Sequence, residues 1–327
     1  MIPLSILDLA PIGEGQSINQ AIAASREMAI MSEKAGFKRY WLAEHHGMRG
    51  VASSATALML AQAGMATSTI RIGSGGVMLP NHAPLMVAEQ FGTLAAMFAD
   101  RVDLGLGRAP GTDSKTSQAL RRPTMDAVEH YPEDIELLQR YLAQEGSSDV
   151  LAVPGVGSHV PLWLLGSSLY SARLASEKGL PFAYASHFAP DYLTRALELY
   201  RRQFTPSSQL DMPYTMAGVM AVVADTNAQA QHLFSSAKLQ FLHLRRGLNQ
   251  PFPAPVDDLS QRASAQELLM VEQTLRYALV GSVDQVNQQL QQFIRATGVD
   301  ELIISVPIHD LATRLETVAQ LGQFNSH

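Results

Sequence analysis

"WLLGSSLYSARLASEKGLPFAYASH", residues 163–187, changes its periodicity twice. An apolar run stops at Gly166. Serines follow, and a serine at a helix start accepts a hydrogen bond from one of the first, otherwise unpaired N–H groups. The next segment mixes polar and apolar residues at helical spacing and ends in Lys178–Gly179. Glycine just past a helix takes the left-handed conformation that other residues resist, and a second apolar run begins there. The whole stretch reads as strand, helix, strand.

The same punctuation recurs along the chain. "EKAGF" stops a helix at Gly36 and "RATGVDE" stops another at Gly298. Apolar runs rich in β-branched residues lie near positions 4, 39, 70, 101, 161, 180, 214 and 301. They are continuously apolar rather than alternating, as expected of strands covered on both faces in a parallel sheet. Eight such runs separated by helices predict a (β/α)8 TIM barrel in a single α/β domain. An open doubly wound sheet is the alternative, and it calls for fewer strands. Such barrels run to about 250 residues before insertions. The surplus of this 327-residue chain is placed at about 108–124, 146–160 and 240–275, the last read as a lid. Ser17 and Gln20 form a capping box. Ile18, Ile22, Met28 and Met31 then give the following helix an apolar face. Trp41, Met97, Phe98 and Trp163 are expected in the core, and Glu33 and Lys34 on a solvated helix face.

Composition narrows the function. The chain is 46% hydrophobic and 17% charged, with a formal net charge of −6. No Lys/Arg block stands out, so neither nucleic acid nor an anionic membrane is an expected partner. With no cysteine, disulfides, thiolate metal sites and Cys nucleophiles are excluded. The N-terminus lacks the basic region and cleavage site of a signal peptide, and the longest apolar stretch, near 216–224, is too short to span a bilayer. A cytoplasmic protein is expected.

In a barrel of this kind, chemistry sits at the C-terminal ends of the strands. Polar and glycine residues collect there in consecutive units: Glu44, His45 and His46 in "YWLAEHHGM" (40–48), the glycines of "GSGGVMLPNHAP" (73–84), Arg108, Ser167 and Ser168, and His187. Neighbouring strand residues point to opposite faces, so His45 and His46 make poor co-ligands and no metal is expected. An imidazole moves a proton near neutral pH, which suits His45 to a catalytic role; a packing role is the alternative. Gly166, Ser167, Ser168 and Ser171 form a helix start that can cradle a phosphate, or serve only as a cap. Arg108 at a strand end fits a phosphate clamp, or a surface arginine. Glycines inside a strand, here Gly75 and Gly76, mark a bulge, tight packing, or close approach by a flat ligand. Neither the dinucleotide fingerprint nor a P-loop is present.

Taken together, these motifs resemble the bacterial luciferase-like family of flavin-dependent monooxygenases. The likeness rests on "WLAEHH" (41–46), "IRIGSGGVMLPNHAPLMVAEQFGTL" (70–94), "DLGLGRAPGTD" (103–113), "LGSSLYSARLASEKGLPFAYASHFAP" (165–190) and "GSVDQVNQQLQQFIRATGVDELIISVP" (281–307). It is weakest across 205–275. The resemblance implies a barrel binding FMN, or F420 in some branches, at the strand C-termini. It implies a catalytic His45, a cis peptide at Gly75–Gly76 beneath the flavin ring, and phosphate contacts from Arg108, Gly166, Ser167, Ser168 and Ser171. Gly107 and Ser167 depart from the light-emitting subunit, so neither light emission nor long-chain aldehyde specificity is carried over. The expected activity is oxygenation of a small organic substrate by reduced FMN and O2. A separate flavin reductase and a second copy of the chain, as a homodimer, are the expected partners. The alternatives are an F420- or FMN-dependent dehydrogenase or reductase, and a non-catalytic flavin-binding protein.

Overall fold

All eight apolar runs are strands, and they close on themselves. The computed structural model describes residues 2–109, 113–120, 129–143 and 150–325. In chain order the strands are β1 (Leu4–Asp8), β2 (Arg39–Leu42), β3 (Arg71–Met78), β4 (Val102–Gly107), β5 (Leu162–Gly166), β6 (Phe182–Tyr184), β7 (Thr215–Val223), β8 (Leu279–Gly281) and β9 (Glu301–Ser305). β1 to β7 and β9 pair in parallel around the ring, closed by β6 with β7, β7 with β9 and β9 with β1. β8 was not expected from the sequence. It adds to the far end of β7, pairing with Ala221–Val223 outside the ring, and three residues are too few to register as an apolar run.

Helices cover the barrel: α1 (Ile18–Lys34), α2 (Thr56–Ala66), α3 (Pro84–Met97), α4 (Ser114–Leu120), α5 (Tyr131–Leu142), α6 (Leu169–Glu177), α7 (Leu193–Gln203), α8 (Asn227–Arg245), α9 (Ala265–Thr274), α10 (Val283–Thr297) and α11 (Leu311–Gly322). Among the described residues, none is long and apolar enough to cross a membrane. Gly36, Gly179 and Gly298 have φ of 76°, 61° and 57°. At the first, the Phe37 N–H donates to the Ser32 carbonyl and the Gly36 N–H to Glu33, both at 3.0 Å. This is the paired closure that turns a helix into the next strand.

Several expectations are corrected. Ile18 is 59% exposed and Met97 is 49% exposed. The buried face of α1 is made instead by Ala21, Ala24, Ser25, Met28, Ala29 and Ser32, mostly small residues that let the helix lie close. Glu33 is not simply solvated. One carboxylate oxygen accepts from the N–H groups of Ser68, Thr69 and Ile70 at 2.8, 2.6 and 3.0 Å. Partial burial pushes this carboxyl up, but the three N–H groups outweigh it and hold the group down to about 2.

The three surplus segments differ. Residues 108–124 contain α4, and 146–160 include a loop laid on α3; residues 110–112, 121–128 and 146–149 lie outside the described residues. The segment 240–275 begins inside α8 and ends with α9. Between them, Phe252 exchanges backbone bonds with Ile12 and Glu14, both at 2.8 Å. The Asn249 side chain bonds the backbone of Gly47 and Arg49 at 2.6 and 2.8 Å. The segment is thereby fastened across the barrel mouth.

Inward-facing side chains stack in layers. At the bottom, the Arg39 guanidinium bridges Asp103 at 2.6 Å and Glu301 at 2.9 Å. Arg71 also pairs with Asp103 at 2.6 Å, and the Tyr214 hydroxyl donates to Glu301 at 2.8 Å. Above lie Trp41 and Trp163, edge to face with ring centres 5.1 Å apart, packed with Leu7, Met216 and Ile303. Arg39 sits 4.7 Å from the Trp163 ring centre, so the two layers are joined.

Arg39→Ala leaves two buried carboxylates short of their shared partner. The expected loss is about 3–5 kcal/mol of unfolding free energy, read from urea denaturation. A loss below about 1 kcal/mol, the range of a surface pair, would show that the floor is not held this way.

Candidate functional site

Above the tryptophan layer, a cavity of about 800 Å³ opens at the strand C-termini. His45, Gly75, Gly76, Arg108, Gly166, Ser167, Ser168 and Ser171 all line it. Residues spread over more than a hundred positions are thus brought to one wall system by the ends of β2 to β5.

The α6 start is built as the sequence suggested, with one refinement. Ser168 is the N-cap, and its Oγ accepts from the Ser171 N–H at 3.3 Å. Capping therefore uses one lone pair of Ser168 and leaves its O–H available. The Ser171 hydroxyl lies 3.2 Å from it. Gly166 makes room for this pair, since a Cβ there would stand 2.1 Å from Ser171 Oγ. The Arg108 guanidinium lies 4.1 Å from the Tyr170 ring centre. No carboxylate pairs with Arg108 among the described residues, so the cationic fork is held by stacking and its donors remain usable. Arg108, the serine hydroxyls and the positive end of α6 make an anion cradle at one side of the cavity.

The Gly75–Gly76 peptide is cis. The β3–β4 register shifts between Ser74 and Val77, so the glycines sit in a bulge. The barrel itself demands them. A Cβ at Gly75 would meet Leu7 at 2.5 Å, and one at Gly76 would meet the Gly105 carbonyl at 2.7 Å.

His45 and His46 diverge as neighbouring strand residues do. His45 faces the cavity. His46 turns to Glu44, whose Oε1 it meets at 2.9 Å, and His82 meets the same oxygen at 2.7 Å. The three donor atoms lie within 4.8 Å of one another, a grouping of a kind that can hold a metal. Here the carboxylate already ties the β2 loop to the β3 loop.

His187, at the end of β6, carried no assigned role in the sequence. It lines the cavity, and its Nδ1 is buried without a hydrogen-bond partner. Burial, and then the nearby His45, pull its pKa from 6.5 to about 4. Gln240 of α8 and Ser305 at the end of β9 also line the cavity. Ser305 was legible in principle, because it follows Glu301 and Ile303 at the inward period of two. Gln240 gave no such signal, since a helix pattern does not reveal which residue overhangs a barrel mouth.

A sequence model of luciferase-like monooxygenases matches residues 2–301. The chain belongs to the luciferase-like monooxygenase family. Among members, it is 47% identical to a luciferase-like monooxygenase of Escherichia coli (strain K12) over 317 residues, covering 97% of this chain and 95% of the relative. The crystal structure of apo-MsnO8 superposes with a TM-score of 0.89 at 31% identity, covering 100% and 99% of the two chains. Two more distant structures share the fold. One is the oxygenating constituent of 3,6-diketocamphane monooxygenase from Pseudomonas putida in complex with FMN, with TM-score 0.74, 19% identity and coverage of 98% and 97%. The other is an F420-dependent secondary alcohol dehydrogenase, with TM-score 0.69, 14% identity and the same coverage. A flavin-type cofactor thus accompanies this barrel in structures that perform different reactions.

The state of His187 sets a pH dependence. In the unfolded chain it takes up a proton near its ordinary value of 6.5, whereas the folded form resists until about 4. Between these values the unfolded state binds more protons, so stability falls as pH drops from about 6.5 to about 4. Thermal melts of wild type and His187→Gln across this window should diverge, with the variant falling less. Parallel curves would mean that the imidazole is not held neutral.

Proposed function

We propose that this chain is a flavin-dependent monooxygenase that uses reduced FMN and O2 to oxygenate a small organic substrate. The observation that carries the reading is the meeting of the Arg108 guanidinium, which has no carboxylate partner among the described residues, and the serine-capped start of α6 at one end of the cavity that His45 faces. Such a pairing suits a phosphate on a long flat ligand. Reduced flavin, when bound, supplies the two electrons that let one atom of O2 enter the substrate while the other leaves as water.

The chain's own residues do the rest. Arg108 grips phosphate oxygens with its planar fork, kept in place by Tyr170. Ser168 and Ser171 offer hydroxyls beside the first N–H groups of α6. Gly75 and Gly76 keep their stretch of wall free of side chains. His45 takes up or returns a proton at its imidazole. The fastened segment over the mouth limits water. A second reading, hydride transfer with F420, is favoured by the F420-dependent neighbour of the same fold. Storage of flavin without turnover is the third. A separate reductase supplies the reduced flavin in this scheme. Self-association as a homodimer is supported by exposed Leu58 and Met65 on α2 and Met86 and Met97 on α3, two helices in contact. The protein is proposed to work in the cytoplasm.

Titration with FMN, reduced FMN and F420 tests the cofactor. Arg108→Ala should weaken FMN binding by about 10- to 100-fold, the range of a charge-assisted hydrogen bond; undiminished affinity removes the cradle. His45→Ala should keep FMN affinity but change the rate at which O2 reoxidises bound reduced FMN. F420 reduction without any reaction of reduced FMN and O2 would favour the dehydrogenase reading.

A further inference from the structure

One face of α8 overhangs the cavity. Ala237, Gln240, Phe241, Leu244 and Arg245 line it, at the i, i+3, i+4, i+7, i+8 spacing of a single helical stripe. The stripe is apolar at Phe241 and Leu244 and ends in a cation at the last residue of the helix. The Arg245 guanidinium donates to the Thr274 hydroxyl of α9 at 2.7 Å, and that hydroxyl donates in turn to the Met270 carbonyl at 2.9 Å. Thr274 therefore directs the guanidinium without neutralising it.

The nearby carboxylates are taken by other groups. On α9, Glu267 pairs with Arg246 at 2.9 Å and Glu272 with Lys238 at 3.9 Å. Asp191, after β6, pairs with Arg276 at 2.9 Å, and Glu14 accepts from the Ala254 N–H at 3.2 Å. Asp8 is the one carboxylate that lines the cavity among the described residues, and it accepts from the Tyr40 hydroxyl at 2.5 Å and the Ala10 N–H at 2.9 Å. A guanidinium keeps its proton at any working pH, so Arg245 is a standing positive charge at the mouth. Arg108 is another, but different elements hold the two: Tyr170 of α6 stacks on Arg108, and Thr274 of α9 directs Arg245. The cradle beside α6 accounts for one anion. The second guanidinium calls for a second, on a molecule whose remainder suits the apolar Phe241 and Leu244 of the stripe and the Phe188 and Met220 side chains that line the cavity with them.

We infer that Arg245 receives the acid group of the substrate, and that the substrate is a small organic carboxylate on an apolar body. The planar fork of the guanidinium matches the two oxygens of a carboxylate. The apolar body lies along the Phe241 and Leu244 stripe and reaches into the cavity from there. The inference rests on the flavin reading, in which the phosphate of FMN fills the cradle and leaves Arg245 to the substrate.

Three probes that share one ring test it: phenylacetate, phenylacetamide and phenethylamine. Their binding to the FMN-loaded chain, whose cradle is filled, is measured by calorimetry. Phenylacetate should bind about 10-fold more tightly than phenylacetamide, as expected for a hydrogen bond between charged groups, and the cationic amine should be weakest. The margin should shrink in about 1 M NaCl, where the screening length is about 3 Å. Arg245→Met should erase the preference for the carboxylate, Arg245→Lys should keep most of it, and neither should change FMN affinity. Equal binding of the three probes, binding of none, or a preference that survives Arg245→Met overturns the inference. So does a loss of FMN affinity in Arg245→Met as large as that in Arg108→Ala, which would give Arg245 to the cofactor. If the chain takes up no FMN, it is the cofactor reading that fails. The same probes on the FMN-free Arg108→Ala chain, whose cradle is removed, then decide this inference by the same ranking.

Discussion

Arg39 reaches across the bottom of the barrel and holds a carboxylate from β4 and another from β9. Two buried acids so close would repel each other, and either would be costly alone in a low-dielectric interior. One guanidinium with several donors resolves both problems and draws strands from distant parts of the ring to a common point. Its face is also the support for Trp163, on which Trp41 packs. Polar and aromatic layers together fill the lower barrel with large, rigid groups. The upper barrel is left to smaller side chains, and that contrast in volume is what produces a cavity at the strand C-termini rather than a core filled throughout.

The cavity walls are then specialised by what each strand end lacks. At Gly166 the missing side chain admits the Ser171 hydroxyl, at Gly218 it admits the His187 imidazole, and at Gly76 it admits the backbone of β4. In each case the glycine accommodates a neighbouring protein group rather than open space. The anion cradle is therefore part of the packed barrel, fixed before any ligand arrives. Preorganisation of this kind lowers the ordering cost of binding.

Much of this was legible in the sequence because parallel strands and helix ends leave local signatures. Gly36, Gly179 and Gly298 marked helix ends, and the continuous apolar runs marked every strand of the ring. His45, Arg108 and the serines were placed by their position at strand ends, and all of them line the cavity. What escaped depends on relations between distant segments. β8 is defined by its pairing with β7 and has almost no pattern of its own. Glu33 looks like any helix-surface acid until the α2–β3 loop arrives against it. Ile18 and Met97 follow the helical pattern yet face outward. Gln240 overlooks the cavity only because α8 is carried over the mouth. Period and composition report on a residue's own element, not on what lies across from it.

The unexpected strand has a consequence for access to the cavity. β7 is nine residues long, and only its first part serves the ring. Its last three residues continue beyond the mouth, pair with β8 and are braced by the Thr317 hydroxyl on the Val223 carbonyl at 3.1 Å. α8 packs on β8. The helix that carries Gln240 and Phe241 is thus mounted on an extension of the barrel sheet, a rigid base held by ladder hydrogen bonds. The segment beyond it is held differently, by a few bonds from Phe252 and Asn249 to loops after β1 and β2. Phe252 is also buried there, so the segment covers the mouth with packing as well as hydrogen bonds. α8 and the segment that follows it are therefore fixed to different parts of the barrel, one to its sheet and the other to its loops.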